Sequence, residues 1–544
     1  MINYTAPSSA TPPRVGVIDI GSNSVRLVVY DALKRVPIPI FNEKTLCGLA
    51  RGLEETGHMN RTGVALAHQA LSRFTYIAKF LNVSELFVLA TAAVRDASDG
   101  PAFVDSLKEK YDLNVQIISG QEEAKYAALG VASSIYHVDG MIADLGGGSL
   151  EIADVKGRNI NDCASFQIGL LRLMAQTNGD VKKLRTVVDQ HLKDHPIIKQ
   201  LEGRTFYTVG GGFRSLARMH IAKTRYPLNI LHHYIVPATN LQKMTHEISR
   251  MNLDQLEKYP GVTLKRMDMI ATTAMVAERI IALGKPKNIT FSAHGIREGF
   301  LFGQLIKKGQ QKDPLIAACE YIMKGQPDTA PYSKELMDWL KPLFEDGKHL
   351  AHPNTSEQTS ESAVRPLWSI KGNALTAETP GMKRLRHAAC ILSEIARYEH
   401  TEYRSEIAFR RVMDSYLIGI NHPSRIYLAL ALFHRYEFNP EANLITAVKK
   451  LLKKEIAHHA RVLGYAMRLA RNIAAGAPNI LPHTRLEVSN VTLILHFDEV
   501  THGLMGEAVN KRLGQLAAAI DLTPIISVPN DRRTDWRDEA KTEN

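Results

Sequence analysis

The 544-residue chain contains only four cysteines, Cys47, Cys163, Cys319 and Cys390, and they are far apart in sequence. None of them forms a CxxC motif or has the Cys/His spacing of a zinc site, so neither a disulfide framework nor a structural zinc is predicted. No run of about 18 uncharged apolar residues occurs, and a membrane partner is therefore not expected. The N-terminus lacks the basic segment and apolar core of a signal peptide, which predicts a cytoplasmic protein.

The rest of the composition is ordinary for a globular protein, with 45% apolar and 23% charged residues. A chain of this length is expected to form several domains. Lys and Arg number 67 against 56 Asp and Glu, a formal net charge of +11. Such an excess suits polyanionic partners but equally describes a basic surface, so the charge alone decides nothing.

Apolar β-rich runs alternate with helical patterns over the first 300 residues, which predicts a mixed α/β class. A gap-free repeat divides this region: VIDIGSNSVRLVVYD at 17–31 returns as IADLGGGSLEIADV at 142–155. We expect two lobes, 14–140 and 141–302, that face each other across a ligand-binding cleft.

Helical stripes such as LRHAACILSEIARYEH dominate after residue 309. They predict a helical domain over 310–510, followed by a small α+β element over 511–528. Residues 1–13 and 529–544 are expected to form a disordered and a mobile tail, and 345–381 a surface connection.

The repeated turns, DIGSNS and DLGGGS, have the composition of a phosphate-binding loop. Glycines and small residues allow successive amide groups to point into one concavity, and Ser and Asn add side-chain donors. The alternative is an ordinary glycine hairpin turn, which two copies preceded by Asp make less attractive. The candidate phosphate ligands are Gly21, Ser22, Asn23, Ser24, Gly146, Gly147, Gly148 and Ser149.

The two copies differ in charge at one aligned position, where Arg26 corresponds to Glu151. Asp19, Asp144 and Glu151 offer the hard oxygen ligands that Mg²⁺ prefers, with Mn²⁺ as a second candidate ion. Arg26 can instead form a forked contact with phosphate. We interpret the difference as one lobe binding the anion and the other the metal; the alternative is an Arg26–Glu151 salt bridge across the cleft.

Two further segments carry candidate groups. ISGQEEAKYAALGV predicts a helix on which Glu123 borders the apolar stripe, whereas Glu122 lies nearly opposite it. Glu123 is therefore the preferred base for accepting a proton from water, unless both glutamates only complement the helix dipole. In ATAAVRDASDG, Thr91 and Arg95 offer a hydroxyl and a guanidinium to an anion.

These motifs together resemble the exopolyphosphatase/guanosine pentaphosphate phosphohydrolase (Ppx/GppA) family, within the actin, sugar kinase and Hsp70 ATPase superfamily. DIGSNSVR, ATAAVR, SGQEEA, DLGGGSLE and SAHGIREGFL follow one another in the family order over about 15–302. The resemblance implies two duplicated actin-like (ribonuclease H-like) lobes followed by a mainly helical HD-like domain. An active HD phosphohydrolase needs a His-Asp dipeptide, but none occurs in this chain and Ser393-Glu394 stands in its place. We therefore expect the helical domain to be metal-free.

Carried over by motif, the resemblance implies that Glu123 is the catalytic base and that Asp144 and Glu151 lie at the metal, with Asp19 nearby. It also implies phosphate contacts from the two turns and from four further residues, Arg26, Thr91, Arg95 and Arg266. The implied reaction is in-line attack of water on the terminal phosphoryl group of inorganic polyphosphate, with release of orthophosphate.

Guanosine pentaphosphate, hydrolysed to the tetraphosphate, is a second implied substrate, and a homodimer without a specific nucleic-acid partner is expected. Two rival hypotheses stay open: an ATP-dependent phosphotransferase or ATPase of the same superfamily, and a non-catalytic sensor of polyphosphate or alarmone. The carboxylates of SGQEEA favour hydrolysis, because they offer a base for water.

Overall fold

The computed structural model describes the following parts of the chain: 12–263, 267–326, 328–344, 378–437, 443–489 and 491–528. They divide into two compact units, of which unit 1 holds the residues up to Pro314 together with Ile418–Asn421 and unit 2 holds the others. The predicted tail 529–544 and most of the predicted segments 1–13 and 345–381 lie outside the described residues. Among the described helices, none combines the length and the apolar character needed to cross a bilayer.

The first half of unit 1 contains a five-stranded sheet. Its strands are β1 (Arg14–Ile20), β2 (Ser24–Tyr30), β3 (Pro39–Leu46), β4 (Val83–Ala90) and β5 (Val115–Ile117). The spatial order is β3-β2-β1-β4-β5, with β1, β2 and β3 antiparallel and β4 and β5 parallel to β1. Successive residues of β1 and β2 are buried, as expected for strands covered on both faces.

The second half contains a six-stranded sheet. Its strands are β6 (Asp139–Leu145), β7 (Leu150–Lys156), β8 (Asn159–Phe166), β9 (Thr205–Val209), β10 (Tyr234–Pro237) and β11 (Asn288–Phe291). The order is β10-β11-β9-β6-β7-β8. Strands β8, β7, β6, β9 and β11 repeat the order and directions of β3, β2, β1, β4 and β5, and β10 is added antiparallel at the edge.

Fourteen helices accompany these sheets in the described part of unit 1. They are α1 (Leu53–Thr56), α2 (Arg61–Phe80), α3 (Ala92–Asp96), α4 (Gly100–Tyr111), α5 (Gly120–Ser134), α6 (Leu170–Thr177), α7 (Val181–Leu192), α8 (Pro196–Lys199), α9 (Gly211–Thr224), α10 (Ala238–Ile248), α11 (Leu253–Glu257), α12 (Met267–Gly284), α13 (Ile296–Gln304) and α14 (Lys307–Gln311). The mixed α/β class expected from the sequence is thereby confirmed.

Helices α5 and α13 each pack against the sheet of the other half. The alanine-rich face of α5, including Ala124 and Ala128, shares a core with Ile142 and Val155 of the second sheet. Conversely, two apolar residues of α13 share a core with strands β1 and β2 of the first sheet. As a result, the start of α5 lies beside β6 and β7, and the start of α13 lies beside β1 and β2.

Unit 2 is mainly helical in its described part. Its helices are α15 (Pro314–Ile322), α16 (Thr329–Trp339), α17 (Lys341–Phe344), α18 (Pro380–Ile391), α19 (Arg404–Asp414), α20 (His422–Tyr436), α21 (Asn443–Lys449), α22 (Lys454–Ala474) and α23 (Glu507–Ala519). Helix α20 is buried along almost its whole length and packs against α22.

A three-stranded sheet completes unit 2. Its strands are β12 (Thr484–Val488), β13 (Thr492–Phe497) and β14 (Thr523–Ser527), in the order β12-β13-β14. Strands β12 and β13 are antiparallel, and β13 and β14 are parallel across α23. Two of the three strands precede residue 511, which is the predicted start of the α+β element. The domain limits given above stay predictions.

Candidate active site

The two sequence repeats form equivalent hairpins. In β1–β2, Asp19 is the Cα partner of Arg26, and in β6–β7, Asp144 is the Cα partner of Glu151. The arginine and the glutamate therefore occupy the same ladder position, each opposite the aspartate that lies one residue before the end of the first strand of its hairpin. The charge difference seen in the sequence is a real difference between two otherwise matching sites.

Both turns are closed by the same hydrogen bond. Gly21 donates its amide to the Ser24 carbonyl, and Gly146 donates to the Ser149 carbonyl, each at 3.0 Å. Within the described residues, the four amides at the tips of the turns have no backbone partner; they belong to Ser22, Asn23, Gly147 and Gly148. Turn amides without a backbone acceptor are available to bind an anion.

The tips of the two turns lie in contact with each other. A Cβ added to Gly148 would lie 2.9 Å from Ser22 Oγ and 3.0 Å from Ala92 Cβ, so a side chain at this position would crowd both residues. Both turns line one cleft of about 640 Å³. The structure thus brings the eight predicted turn residues together at one cavity.

One side of the cleft is acidic. Glu123 is 6% exposed and Glu151 is 1% exposed, because α5 packs against the sheet that contains β7. Burial, together with the charges of Glu151 and Asp144, raises the pKa of Glu123 well above its usual value. Burial likewise raises the pKa of Glu151 to about 8 and that of Asp144 to about 6. Three carboxyl groups therefore share a poorly hydrated environment.

Glu122 and Glu123 have different surroundings. Glu122 caps α5: its carboxylate accepts from the Ser119 amide at 2.8 Å, and its own amide donates to Ser119 Oγ at 3.2 Å. These contacts with the Ser119 amide and hydroxyl lower the pKa of Glu122, which is exposed. Glu123 instead lines the cleft. Of the two, only Glu123 is in a position to meet a ligand there.

A second part of the cleft wall, called here the basic side, carries Arg26 and Arg297. Arg297, at the start of α13, forms an ion pair with Asp19 at 2.9 Å. Arg26 donates from Nε to Asn42 Oδ1 at 2.8 Å, and in the part of the chain that the structure describes it makes no ion pair with Glu151. The salt bridge considered as an alternative is therefore replaced by a hydrogen bond within the first sheet.

Arg95 lies behind Glu123 rather than on the wall of the cleft. Its Nη1 is 3.4 Å from Glu123 Oε2, and its Nε is 3.2 Å from Asp96 Oδ1. The other oxygen of Asp96 is 3.2 Å from Arg172 Nη2, and Arg172 Nε is 2.7 Å from Glu54 Oε1. Because Arg172 belongs to the second half of unit 1, this chain of ion pairs joins the two halves of unit 1 next to Glu123.

The predicted residues are thus distributed as follows. The cleft is lined by Asp19, Gly21, Ser22, Asn23, Ser24, Arg26, Thr91, Glu123, Asp144, Gly146, Gly147, Gly148 and Ser149. Glu151 and Arg95 lie behind this wall, and Arg266 lies outside the described residues. The roles assigned to these residues stay predictions.

Four cationic residues of the cleft wall have no place among the predicted site residues; they are Lys44, Arg51, Arg214 and Arg297. Burial and the neighbouring Arg297 charge lower the pKa of Arg214 to about 10. Arg297 lies in the SAHGIREGFL motif and Arg214 follows the third glycine-rich turn, so their positions in motifs were available signals. Lys44 and Arg51 carry no such signal.

The acidic side has one unsatisfied group that a cation would match. Ser165 donates its hydroxyl to Glu151 Oε1 at 3.0 Å, whereas Glu151 Oε2 is buried without a hydrogen-bond partner. Among the described residues, no three His, Cys, Asp or Glu side chains are grouped to hold one metal ion. Two carboxylates, with phosphate and water oxygens, are nevertheless a common set for Mg²⁺, and Asp144 and Glu151 fit that role.

Comparison with protein families gives two matches. Residues 28–308 match the model of the Ppx/GppA phosphatase family, and residues 360–523 match that of the exopolyphosphatase C-terminal region.

Individual relatives agree with these matches. Exopolyphosphatase 1 of Mycobacterium tuberculosis (strain H37Rv) is 27% identical over 304 residues, which cover 54% of this chain and 88% of the relative. Exopolyphosphatase 1 of Mycobacterium leprae is 25% identical over 311 residues, covering 54% and 89%. The curated relatives are therefore spanned almost completely by about half of this chain.

Two solved structures are similar over the same share of the chain. An exopolyphosphatase from Cytophaga hutchinsonii has a TM-score of 0.49 and 25% identity, covering 53% of this chain and 98% of the other. The Aquifex aeolicus member of the Ppx/GppA family has a TM-score of 0.47 and 23% identity, covering 54% and 98%.

Proposed function

The chain belongs to the Ppx/GppA phosphatase family, and on this premise we propose that it is an exopolyphosphatase that releases orthophosphate from the ends of inorganic polyphosphate. Membership makes it a hydrolase of phosphoanhydride bonds. The observation that carries the finer proposal is the placement of Glu123. It is a buried carboxylate that lines the same cleft as two turns with free amides.

The two turns bind the terminal phosphate groups of the chain. Amides at the tips of the turns donate to phosphate oxygens, and Ser22 and Asn23 add side-chain donors from the cleft wall. Arg26 contributes positive charge from the basic side, where Asn42 holds its guanidinium in place. A polyanion is therefore bound along the cleft with its end toward the acidic side.

Glu123 acts as the general base. It accepts a proton from the water that attacks the terminal phosphorus in line with the bridging oxygen that leaves. Arg95 favours the ionised form of Glu123 and orients it, because its Nη1 lies 3.4 Å from Glu123 Oε2. We assign the Arg95 side chain to the base as a positioning group. Its phosphate contact, inferred from its motif, stays a prediction, because Arg95 does not line the cleft.

Asp144 and Glu151 are the residues that would hold a divalent cation, Mg²⁺ or alternatively Mn²⁺. Such an ion would neutralise negative charge on the phosphate groups of the substrate. The buried, unpartnered Glu151 Oε2 supports this assignment. Asp19 is paired with Arg297, so it would contribute to this site mainly through its negative charge.

Several finer features form part of the same proposal. They are hydrolysis of guanosine pentaphosphate as a second reaction, actin-like lobes with the limits given above, an HD-like fold for the helical unit, a homodimer and a cytoplasmic location.

A side-by-side assay tests the activity. Phosphate release is measured with Mg²⁺ on long-chain polyphosphate, guanosine pentaphosphate and ATP at equal concentrations of terminal phosphate. We expect release from polyphosphate to be fastest, with guanosine pentaphosphate as the secondary substrate. Turnover of ATP with an added acceptor, and none of polyphosphate, would instead support a phosphotransferase. Binding of polyphosphate without any release would support a sensor.

A further inference from the structure

Unit 2 contains a cavity of its own, with a volume of about 310 Å³. It opens among the segment after α18, the start of α19, the end of α20 and the last third of α22. Its lining includes Glu394, Arg397, Arg404, Arg435, Tyr436 and Arg471. Four guanidinium groups and one carboxylate therefore surround a single small space.

The carboxylate forms ion pairs with two of the arginines. Glu394 Oε1 lies 2.6 Å from Arg435 Nη2 and 3.3 Å from Arg471 Nε, and the Glu394 side chain is only 2% exposed. Glu394 belongs to the Ser393-Glu394 pair, which occupies the place where an active HD phosphohydrolase would have His-Asp. In place of a metal ligand, this position thus holds a buried anion that fixes two cations.

The other two arginines have no carboxylate partner among the described residues. Arg404 donates from Nε to the neutral Glu399 carbonyl at 2.8 Å, and Arg397 makes no ion pair in this part of the chain. The lining consequently carries four positive charges against one negative charge. Like charges that line one small space repel one another, and an anionic ligand removes that repulsion.

One of the arginines is held rigidly before any ligand binds. Arg435 is 5% exposed, and its guanidinium lies over the Tyr436 ring, 4.5 Å from the centroid. The Tyr436 hydroxyl donates to the Ser393 carbonyl at 3.1 Å and so anchors the ring. Arg435 Nε is buried without a hydrogen-bond partner, a state that is unfavourable unless a ligand accepts from it.

We propose that this cavity binds a compact anion with two linked phosphate groups, either free inorganic diphosphate or the diphosphate of a nucleotide. Guanidinium groups match phosphate oxygens in geometry and charge, and small-ligand sites begin at about 300 Å³. Two linked phosphates neutralise most of the positive excess, whereas one phosphate leaves part of it unbalanced. The proposal does not depend on the exopolyphosphatase activity.

The test uses the full chain and methylenediphosphonate, whose P–C–P bridge resists hydrolysis. Titration calorimetry measures its affinity, and hydrogen exchange locates it through protection of segment 394–404. The double variant Arg397→Gln/Arg404→Gln should lower the affinity at this segment roughly a hundredfold, about tenfold for each charge-assisted contact. The control is Arg410→Gln, which removes an exposed arginine from the same helix but not from the cavity, and it should bind like the unmodified chain.

Two further probes distinguish the source of the ligand. Tighter binding of α,β-methylene adenosine diphosphate than of methylenediphosphonate assigns the cavity to nucleotides, and the reverse assigns it to free diphosphate. If methylenediphosphonate protects only the turns of unit 1 from hydrogen exchange, the proposal is overturned. An equal loss of affinity in Arg410→Gln also overturns it, as does an equal affinity for orthophosphate and methylenediphosphonate.

Discussion

Replacement of Gly299 by alanine tests how the crossing helices build the cleft. A Cβ at Gly299 on α13 would lie 1.7 Å from the Tyr126 carbonyl oxygen and 2.6 Å from the Gly130 nitrogen, both on α5. Ordinary contact distances are about 3.5 Å, so the two helices must separate by nearly 2 Å. Both colliding atoms belong to backbone and cannot rotate away.

The expected loss of stability lies at the upper end of the range for overpacking, about 3 kcal/mol. Activity should fall as well, because α5 carries Glu123 and α13 carries Arg297 at their first turns. A displacement of about 1 Å at a reacting group can reduce turnover about a hundredfold. We therefore expect Gly299→Ala to lower both the urea midpoint for loss of activity and kcat itself.

Gly303→Ala is the matched control on the same helix. Its added Cβ would meet its nearest neighbour, Leu129 Cδ1, at 3.7 Å, which is an ordinary contact. Alanine is the better helix former by up to about 1 kcal/mol, so this variant should be as stable as the unmodified chain or slightly more stable. If Gly299→Ala equals Gly303→Ala in urea midpoint and in phosphate release, the helix crossing does not position the cleft.

Three other perturbations have defined outcomes. Asp96→Asn should lower kcat about tenfold, because it removes the carboxylate that holds Arg95 beside the base. The control Glu54→Gln breaks only the outer ion pair with Arg172 and should leave kcat within about twofold. Equal effects of the two substitutions would refute the coupling of these ion pairs to Glu123. Arg26→Ala should raise KM for polyphosphate more than it lowers kcat, and an unchanged KM would restrict Arg26 to its contact with Asn42. Burial lowers the pKa of His459 to about 3 and that of His434 to about 4. Because the unfolded chain binds protons at these histidines more readily than the folded chain, the free energy of unfolding falls as the pH falls below 6.5. The loss is about 2 kcal/mol for each histidine at pH 5. The urea midpoint of unit 2 should follow this trend, and His459→Gln should weaken it; a flat profile would contradict the assignment.

Much of the fold followed from local patterns in the sequence. The repeat around Asp19 and Asp144 predicted two matching hairpins, since a turn of conserved length places its flanking residues in register. The helical wheel separated Glu123 from Glu122, and the structure gives these neighbours different surroundings: one caps its helix and the other lines the cleft.

Other parts of the site depend on contacts between distant segments. No periodicity shows that α5 packs against the second sheet and α13 against the first, because either sheet offers an apolar face of similar character. The ion pair of Asp19 with Arg297, 278 positions away in the chain, follows from that exchange and could not be anticipated. The position of Arg95 could not be anticipated either. Its guanidinium suggested a phosphate ligand, but the side chain lies behind Glu123.

Phosphate release from long-chain polyphosphate by Glu123→Gln tests the central proposal most directly. The substitution keeps the size of the side chain but removes the carboxylate that accepts the proton, which is worth about a hundredfold to ten-thousandfold in rate. We predict a loss of kcat within that range with polyphosphate binding retained, while Glu122→Gln, which alters only the exposed helix cap, stays near the unmodified rate. Normal turnover by Glu123→Gln would contradict the proposed mechanism.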